Sequence, residues 1–223
     1  MSLAPAIGLF GGTFDPIHNG HIEPVMAAAK QVNLQTVALM PNYLPAHKAQ
    51  AMSSSAQRLD MIKRVCDTYP LFYPEPWEIE QARVTYSVDT LSAFRDRHPN
   101  SPICFFIGTD SLNSLPTWHR WETLLNLCHF IVCKRNSETT KKPTTEQQKI
   151  VADLLRKHQT TEPASLHRTL AGHIYLADTP EVNVSSTKIR ALIAQGYRPH
   201  EMLPESILQY IEYTKLYQPK SNI

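Results

Sequence analysis

Apolar residues along the chain gather into short runs that alternate with longer amphipathic stretches. The short runs predict strands at residues 6–10, 36–40, 103–107, 130–133 and 174–176. The amphipathic stretches predict helices at residues 21–32, 53–69, 86–98, 121–127, 146–158, 186–195 and 206–217. A strand, a glycine loop, a helix and a second strand open the chain, and this βαβ order implies a parallel sheet. We therefore predict a doubly wound, Rossmann-like α/β fold with helices on both faces and ligands at the carboxyl ends of the strands.

One segment interrupts this alternation. Residues 134–145 are polar and have no apolar period, and the sequence after the next predicted helix is irregular. Long connections of this kind are uncommon inside a compact domain. We expect residues 1–223 to form a single domain that carries a variable insertion at about residues 135–171.

The composition is that of an ordinary globular protein. Apolar residues make up 42% of the 223 positions and the formal net charge is +2, so neither disorder nor a nucleic-acid partner is indicated. No apolar run approaches the roughly 20 residues of a membrane span, and the start lacks the features of a signal peptide. The four cysteines form no CxxC pair, which predicts reduced thiols, no zinc site and a cytoplasmic location.

Glycine marks the N-terminus as the candidate site. Four of the seven glycines, Gly8, Gly11, Gly12 and Gly20, lie within the first 20 residues. Two of them end the first predicted strand, and the HNGH run at residues 18–21 opens the following helix. Backbone N–H groups of such a turn and of the first helical turn point at an anion, and the helix dipole favours it.

Two histidines of this run can act on a phosphate. His18 and His21 are three residues apart, so on a helix they project to one side. Imidazole donors there can stabilise phosphate oxygens whose charge grows in a transition state. The sequence has no GxxxxGK[ST] loop, no GxGxxG fingerprint and no evident activated nucleophile. A transfer in which the substrate's own phosphate oxygen attacks needs no nucleophile from the protein.

A second candidate for anion binding lies far along the chain, in the VSSTKIR run at residues 184–190. Ser185 and Ser186 can cap the predicted helix and leave N–H groups for a ligand. Arg190, one turn on, offers a planar fork for phosphate. Taken alone, the run is also compatible with an ordinary capped helix that carries an exposed arginine.

The two motifs together resemble a known superfamily. GGTFDPIHNGH at residues 11–21 resembles the signature of the HxGH nucleotidyltransferases, and VSSTKIR resembles their ISSTxIR run, which binds the ATP triphosphate. The resemblance implies an ATP site made of Gly11, Gly12, Thr13, Phe14, His18, His21, Gly108, Asp110, Ser185, Ser186 and Arg190. It makes His18, His21 and Arg190 the catalytic residues. Mg²⁺ would arrive with ATP and be held mainly by phosphates and water, without metal ligands from the protein.

Three central stretches narrow the resemblance. They are PNYLPAHK at residues 41–48, TYSVDT at 85–90, and FFIGTDSL with PTWHRW at 105–112 and 116–121. As a set they resemble bacterial nicotinate-nucleotide adenylyltransferases, which join AMP from ATP to nicotinate mononucleotide in NAD biosynthesis. The resemblance covers the whole chain and is weakest at residues 135–171. It implies that the partners are the small molecules ATP and nicotinate mononucleotide, with no obligate protein partner.

The same resemblance implies a set of substrate contacts. Trp118 would stack on the cationic pyridine ring, a contact that is also a cation–π interaction. The ring carboxylate and the phosphate would be bound by Asn42, Lys48, Thr85, Ser87 and His119. Two positions depart from the family pattern, with serine at 87 where threonine is frequent and histidine at 119 where tyrosine is frequent. The serine keeps the hydroxyl, and a backbone contact at 119 would survive the change.

Two other functions stay open at this stage. A phosphopantetheine adenylyltransferase is the runner-up, although such enzymes usually have threonine in place of His18 and are typically shorter. A nucleotide-binding regulator without catalysis is the second alternative. Such a regulator would tolerate loss of His18, His21 or Arg190, and all three are present.

Overall fold

Six parallel strands form one sheet in the computed structural model, which describes residues 3–43, 51–134 and 142–219. Their order is β3–β2–β1–β4–β5–β6. The strands are β1 Ile7–Gly12, β2 Val37–Pro41, β3 Phe72–Pro74, β4 Ile103–Gly108, β5 His129–Cys133 and β6 Ile174–Leu176. This is the order of a doubly wound sheet, so the predicted fold class is confirmed. The order reverses between β1 and β4, where a crevice for ligands opens at the carboxyl ends.

Eight α-helices are described around the sheet. They are α1 Asn19–Gln31, α2 Ser55–Thr68, α3 Trp77–Glu80, α4 Ser87–Arg97, α5 Thr109–Ser114, α6 Thr145–His158, α7 Ser186–Ala194 and α8 Glu205–Thr214. Short 3₁₀ helices occupy Leu115–Thr117, Trp121–Asn126 and Pro163–His167. The helix predicted at residues 121–127 is a 3₁₀ helix that ends at Asn126, and the helix predicted to end at residue 217 stops at Thr214. No described helix is long and apolar enough to cross a bilayer.

Both faces of the sheet are covered by apolar side chains. Residues of β2 alternate between the two sides, with Val37 and Leu39 in one core cluster and Ala38 and Met40 in the other. A strand buried on both faces has this continuous apolar pattern, which is why the run was recognisable from sequence.

The described part of the predicted insertion packs into the domain. Val151 of α6 is buried in the core. Beyond the helix, His158 Nδ1 lies 2.9 Å from the Gly172 carbonyl oxygen, and Thr160 N donates to the Ile174 carbonyl at 2.9 Å. Residues 135–141 of the predicted loop lie outside the described residues. The single-domain boundary and the insertion at 135–171 stay predictions.

A buried histidine in β5 makes folding sensitive to acid. His129 Nε2 lies 2.9 Å from the Thr169 carbonyl oxygen, and Nδ1 accepts a hydrogen bond from His173 N at 3.1 Å. Burial lowers the pKa of His129 to about 4. In the unfolded chain the same group titrates near ~6.5. At a pH between these two pKa values, His129 is protonated in the unfolded state and neutral in the folded state. The free energy of unfolding therefore falls as the pH falls.

We expect the titration of His129 to lower the free energy of unfolding by about 3 kcal/mol as the pH falls from 7.5 to 4, since one pKa unit corresponds to ~1.4 kcal/mol. Urea unfolding of the wild type and of His129→Gln at several pH values measures the effect. The variant should lose less stability on acidification than the wild type. Parallel curves for the two proteins would show that His129 is not responsible.

Candidate active site

The loop after β1 is held in one conformation by its neighbours. Asn42 N donates to the Gly12 carbonyl at 3.0 Å, and Asn42 Nδ2 donates to Thr13 Oγ1 at 3.2 Å. Phe14 has a left-handed φ of 51° and a buried ring, whose edge meets the rings of Phe10 and His21 at centroid distances of 5.5 and 5.2 Å. The Phe14 side chain therefore belongs to the core, and a ligand contact from this residue would come from its main chain.

The two histidines of the loop lie against each other at the start of α1. His18 is the N-cap of the helix, and its ring stacks on that of His21 with a centroid distance of 3.7 Å. Gly20 lies between them. A Cβ there would lie 3.1 Å from the His18 ring and 3.2 Å from the Val184 carbonyl oxygen. Glycine at this position therefore permits the segment before α7 to approach the histidines closely.

Residues at the start of α7 attach directly to the loop. Ser185 caps the helix by accepting from Lys188 N at 3.2 Å. Ser186 Oγ donates to the Pro16 carbonyl at 3.0 Å, and Arg190 Nη1 donates to the Asp15 carbonyl at 2.7 Å. The Arg190 side chain keeps 23% of its surface exposed. The two motifs, which are about 170 residues apart in sequence, thus form one site with a solvent-accessible guanidinium.

Asp15 is a buried residue of this loop that sequence reasoning did not single out. Its Oδ2 accepts from Met52 N at 2.8 Å, and its Oδ1 accepts from Ser53 N at 3.2 Å and Tyr217 Oη at 2.7 Å. The Ser53 hydroxyl also donates to Oδ1. The residue stands inside the GGTFDPIHNGH run, but no spacing rule connects it with donors at positions 52, 53 and 217.

Arg58 of α2 is a second residue that was missed. Its side chain is buried, and its Nη1 donates to the carbonyls of Thr13 at 3.0 Å and Asn42 at 2.6 Å. Its Nη2 donates to the Tyr43 carbonyl at 2.9 Å. Burial lowers the pKa of Arg58, and the nearby Asp15 opposes that shift. Arg58 thereby joins the loops after β1 and β2 into one unit.

The other side of the crevice is the end of β4. Gly108 is the N-cap of α5 and Asp110 lies in its first turn, while Thr109 Oγ1 donates to the Cys133 carbonyl at 3.1 Å. Strand β4 pairs directly with β1, so these residues face the glycine loop across the point where strand order reverses. Asp110 Oδ1 is buried and accepts no hydrogen bond within the described residues. It is therefore a candidate acceptor for hydroxyl groups of a nucleotide.

Part of the set predicted to bind the second substrate lies at the start of α4, whereas Asn42 follows β2 and donates to Thr13 Oγ1. Ser87 is the first residue of that helix, and the Tyr86 ring before it lies 4.6 Å from the ring of His119. Trp118 is half-buried beside the core, and Arg120 turns the chain with a left-handed φ of 51°. The structure thus brings the helix start and the Trp118–His119 turn together. Lys48 lies outside the described residues.

Thr85 lies near the buried carboxyl of Glu78. Glu78 accepts a hydrogen bond from Thr90 Oγ1 at 2.5 Å. Burial raises the pKa of Glu78, and the hydroxyls of Thr90 and Thr85 and the nearby Arg58 oppose the rise. The substrate contact expected of Thr85 stays a prediction.

Comparisons with known proteins agree with this geometry. The cytidylyltransferase-like family matches residues 9–192. A protein of Pseudoalteromonas atlantica named "Probable nicotinate-nucleotide adenylyltransferase" is 44% identical over 220 residues, which are 99% of this chain and 98% of that protein. One of Aeromonas salmonicida with the same name is 44% identical over 218 residues, which are 98% of this chain and 99% of that protein.

A solved structure has the same fold. It is the Plasmodium falciparum nicotinic acid mononucleotide adenylyltransferase complexed with NaAD, and it aligns with a TM-score of 0.69 at 17% identity. The alignment covers 96% of this chain and 98% of that one. Because the curated relatives match nearly end to end at 44% identity, the chain belongs to the nicotinate-nucleotide adenylyltransferases, within the cytidylyltransferase-like family.

Proposed function

We propose that the protein transfers AMP from ATP to nicotinate mononucleotide and releases deamido-NAD and pyrophosphate. The observation that carries the proposal is the convergence of His18, His21 and Arg190 on one loop at the strand-order reversal. Backbone N–H groups, two imidazoles and a guanidinium at that place form a site for a polyphosphate. The names of the full-length relatives support nicotinate mononucleotide as the acceptor.

The proposed reaction is a single displacement. A 5′-phosphate oxygen of nicotinate mononucleotide attacks the α-phosphorus of ATP and forms the new P–O bond. The bond from the α-phosphorus to the oxygen that bridges to the β-phosphate breaks, and pyrophosphate leaves with that electron pair. His18, His21 and Arg190 donate hydrogen bonds to phosphate oxygens whose charge grows in the transition state. Asp110 would accept from ATP hydroxyls, and Trp118 would stack on the pyridine ring.

Mg²⁺ belongs to this proposal as a companion of the ATP phosphates. The carboxyl nearest to Arg190 does not fit it as a protein ligand, because Asp15 already accepts from Met52, Ser53 and Tyr217. Phosphate oxygens and water would supply the coordination instead. A cytoplasmic location is also part of the proposal, and it is supported by four cysteines that are all free thiols.

Pyrophosphate release from ATP with a panel of acceptors tests the proposed function. Nicotinate mononucleotide should support rapid release, and ATP without an acceptor serves as the control. Release with 4′-phosphopantetheine in place of the mononucleotides would establish the runner-up function. ATP binding without release with any acceptor would establish the regulator.

Stereochemistry at the α-phosphorus tests the single displacement. With ATP chirally labelled at an α-thiophosphate, we expect inversion, because one in-line attack inverts the configuration and two restore it. The configuration of the dinucleotide product is the measurement. Retention would require a covalent nucleotidyl-enzyme intermediate and would contradict the mechanism.

A further inference from the structure

Tyr217 follows the last helix in sequence, and its side chain contacts Asp15 in the loop after β1. Lys215 and Tyr217 have left-handed φ values of 55° and 63°, which reverse the chain after α8. The Tyr217 ring is buried, and its Oη donates to Asp15 Oδ1 at 2.7 Å and lies 3.4 Å from Ser53 Oγ. Burial and the neighbouring Asp15 raise the pKa of Tyr217, so its hydroxyl remains a donor.

The carbonyl oxygen and the carboxyl of Asp15 lie at different distances from Arg190. The Asp15 carbonyl oxygen accepts from Arg190 Nη1 at 2.7 Å, whereas Asp15 Oδ2 lies 4.0 Å from the same nitrogen. The carboxyl instead receives hydrogen bonds from Tyr217, Ser53 and Met52. An arginine and a carboxylate that are free to meet form a bidentate pair, which uses two N–H groups of the guanidinium. Both carboxyl oxygens of Asp15 are instead bonded to other donors.

We propose that Tyr217 is a positioning residue for Arg190, because it holds the Asp15 carboxyl away from the guanidinium. The remaining N–H groups of Arg190 then stay directed at the ATP phosphates. This inference rests on the proposed function, since it takes the triphosphate as the ligand of Arg190. It gives the C-terminal turn a part in the reaction, although that turn lies about 200 residues from the loop in sequence.

The C-terminal helix is anchored independently of the Tyr217 hydroxyl. Tyr210 Oη of α8 lies 3.4 Å from Asp60 Oδ2 of α2, and the Arg64 guanidinium lies 4.8 Å from the Tyr210 ring centroid. Tyr217→Phe keeps the buried ring and removes only the hydroxyl. We therefore expect this variant to fold and to show the effect of the lost hydrogen bond alone.

We expect Tyr217→Phe to lower kcat about 5-fold, the size of one lost hydrogen bond, with an unchanged KM for nicotinate mononucleotide. Tyr213→Phe is the matched control, because Tyr213 is 86% exposed near the end of α8. Thermal unfolding of both variants checks the fold. If Tyr217→Phe does not fold, Ser53→Ala removes the other hydroxyl from Asp15 and takes its place in the same measurements.

A double-mutant cycle with Arg190→Lys separates positioning from a general structural effect. If Tyr217 acts through Arg190, Tyr217→Phe should change kcat less than 2-fold in the Arg190→Lys background, by the logic of coupled sites. Where the turnover of a variant is too low to measure, its affinity for magnesium pyrophosphate, measured by calorimetry, takes the place of kcat in the same cycle. Independent, multiplicative effects of the two substitutions would overturn the inference.

The activity of the wild type distinguishes failure of the proposed function from failure of the role of Tyr217. If it releases no pyrophosphate with nicotinate mononucleotide, the proposed function fails. If it is active but the cycle shows no coupling, the function stands and only the role of Tyr217 fails.

Discussion

Arg190→Ala and His21→Ala should each lower kcat by roughly 100-fold or more, because in the proposed mechanism each removes a donor aimed at developing charge. The Arg190 guanidinium is already fixed by its bond to the Asp15 carbonyl and by a 3.3 Å bond from Nη2 to Thr187 Oγ1. A donor that is fixed before the reaction need not reorganise in the transition state, so its loss costs more than that of a mobile one. His18→Ala should have a similar effect on kcat and a larger effect on the KM for ATP.

Steady-state rates with ATP and nicotinate mononucleotide measure these effects. Arg156→Ala is the control, since the Arg156 side chain is 72% exposed on α6. Arg190→Lys keeps the charge and loses the planar fork, so it should fall between alanine and the wild type. Near-normal turnover in the alanine variants of His18, His21 and Arg190 would contradict the catalytic roles proposed for them.

Much of this site could be predicted from sequence because its elements are local. The glycine loop, the HNGH run and the VSSTKIR helix start are each contiguous, and each lies next to a long element with a clear period. Arg58 could also have been found by periodicity. It precedes Met61, Ile62 and Val65, the other buried residues of α2, by three, four and seven positions. This spacing places the charged Arg58 side chain on the apolar face of the helix.

Other parts of the site had no sequence signal. The Asp15–Tyr217 contact joins residues that are 202 positions apart, and only tertiary packing brings them together. Strand β3 and helix α3 have three and four residues, too few to show a period. Since Glu78 lies on α3, its hydrogen bond with Thr90 was not predictable for the same reason.

The environment of α4 supports a preference for the nicotinate ring over the nicotinamide ring. Tyr86 N is capped by Asp89 Oδ2 at 3.2 Å, so the helix start is well ordered. The next N–H groups, those of Ser87 and Val88, make no backbone hydrogen bond within the described residues. A helix N-terminus favours a negative charge, and this one adjoins the turn that carries Trp118.

A carboxylate and a carboxamide place different demands on such a pocket. The carboxylate only accepts hydrogen bonds, whereas the amide must also place an NH₂ donor. Glu78 is a carboxyl near Thr85, but it already accepts a hydrogen bond from Thr90 Oγ1 at 2.5 Å. The NH₂ of nicotinamide would therefore face other donors. A mismatch of this kind costs about 2–3 kcal/mol, so we expect kcat/KM to favour nicotinate mononucleotide roughly 100-fold.

Trp118→Ala separates ring binding from this choice. In the proposed site the indole stacks on either pyridinium ring, so its loss should raise KM for both mononucleotides and leave the ratio of their kcat/KM values nearly unchanged. Ser87→Pro removes the N–H at the first position of α4, a position where helices tolerate proline. This variant should lower the ratio of kcat/KM for nicotinate mononucleotide to kcat/KM for nicotinamide mononucleotide. The comparison of kcat/KM for the two mononucleotides is decisive. Equal values, or a preference for the amide, would show that the start of α4 does not bind the ring carboxylate.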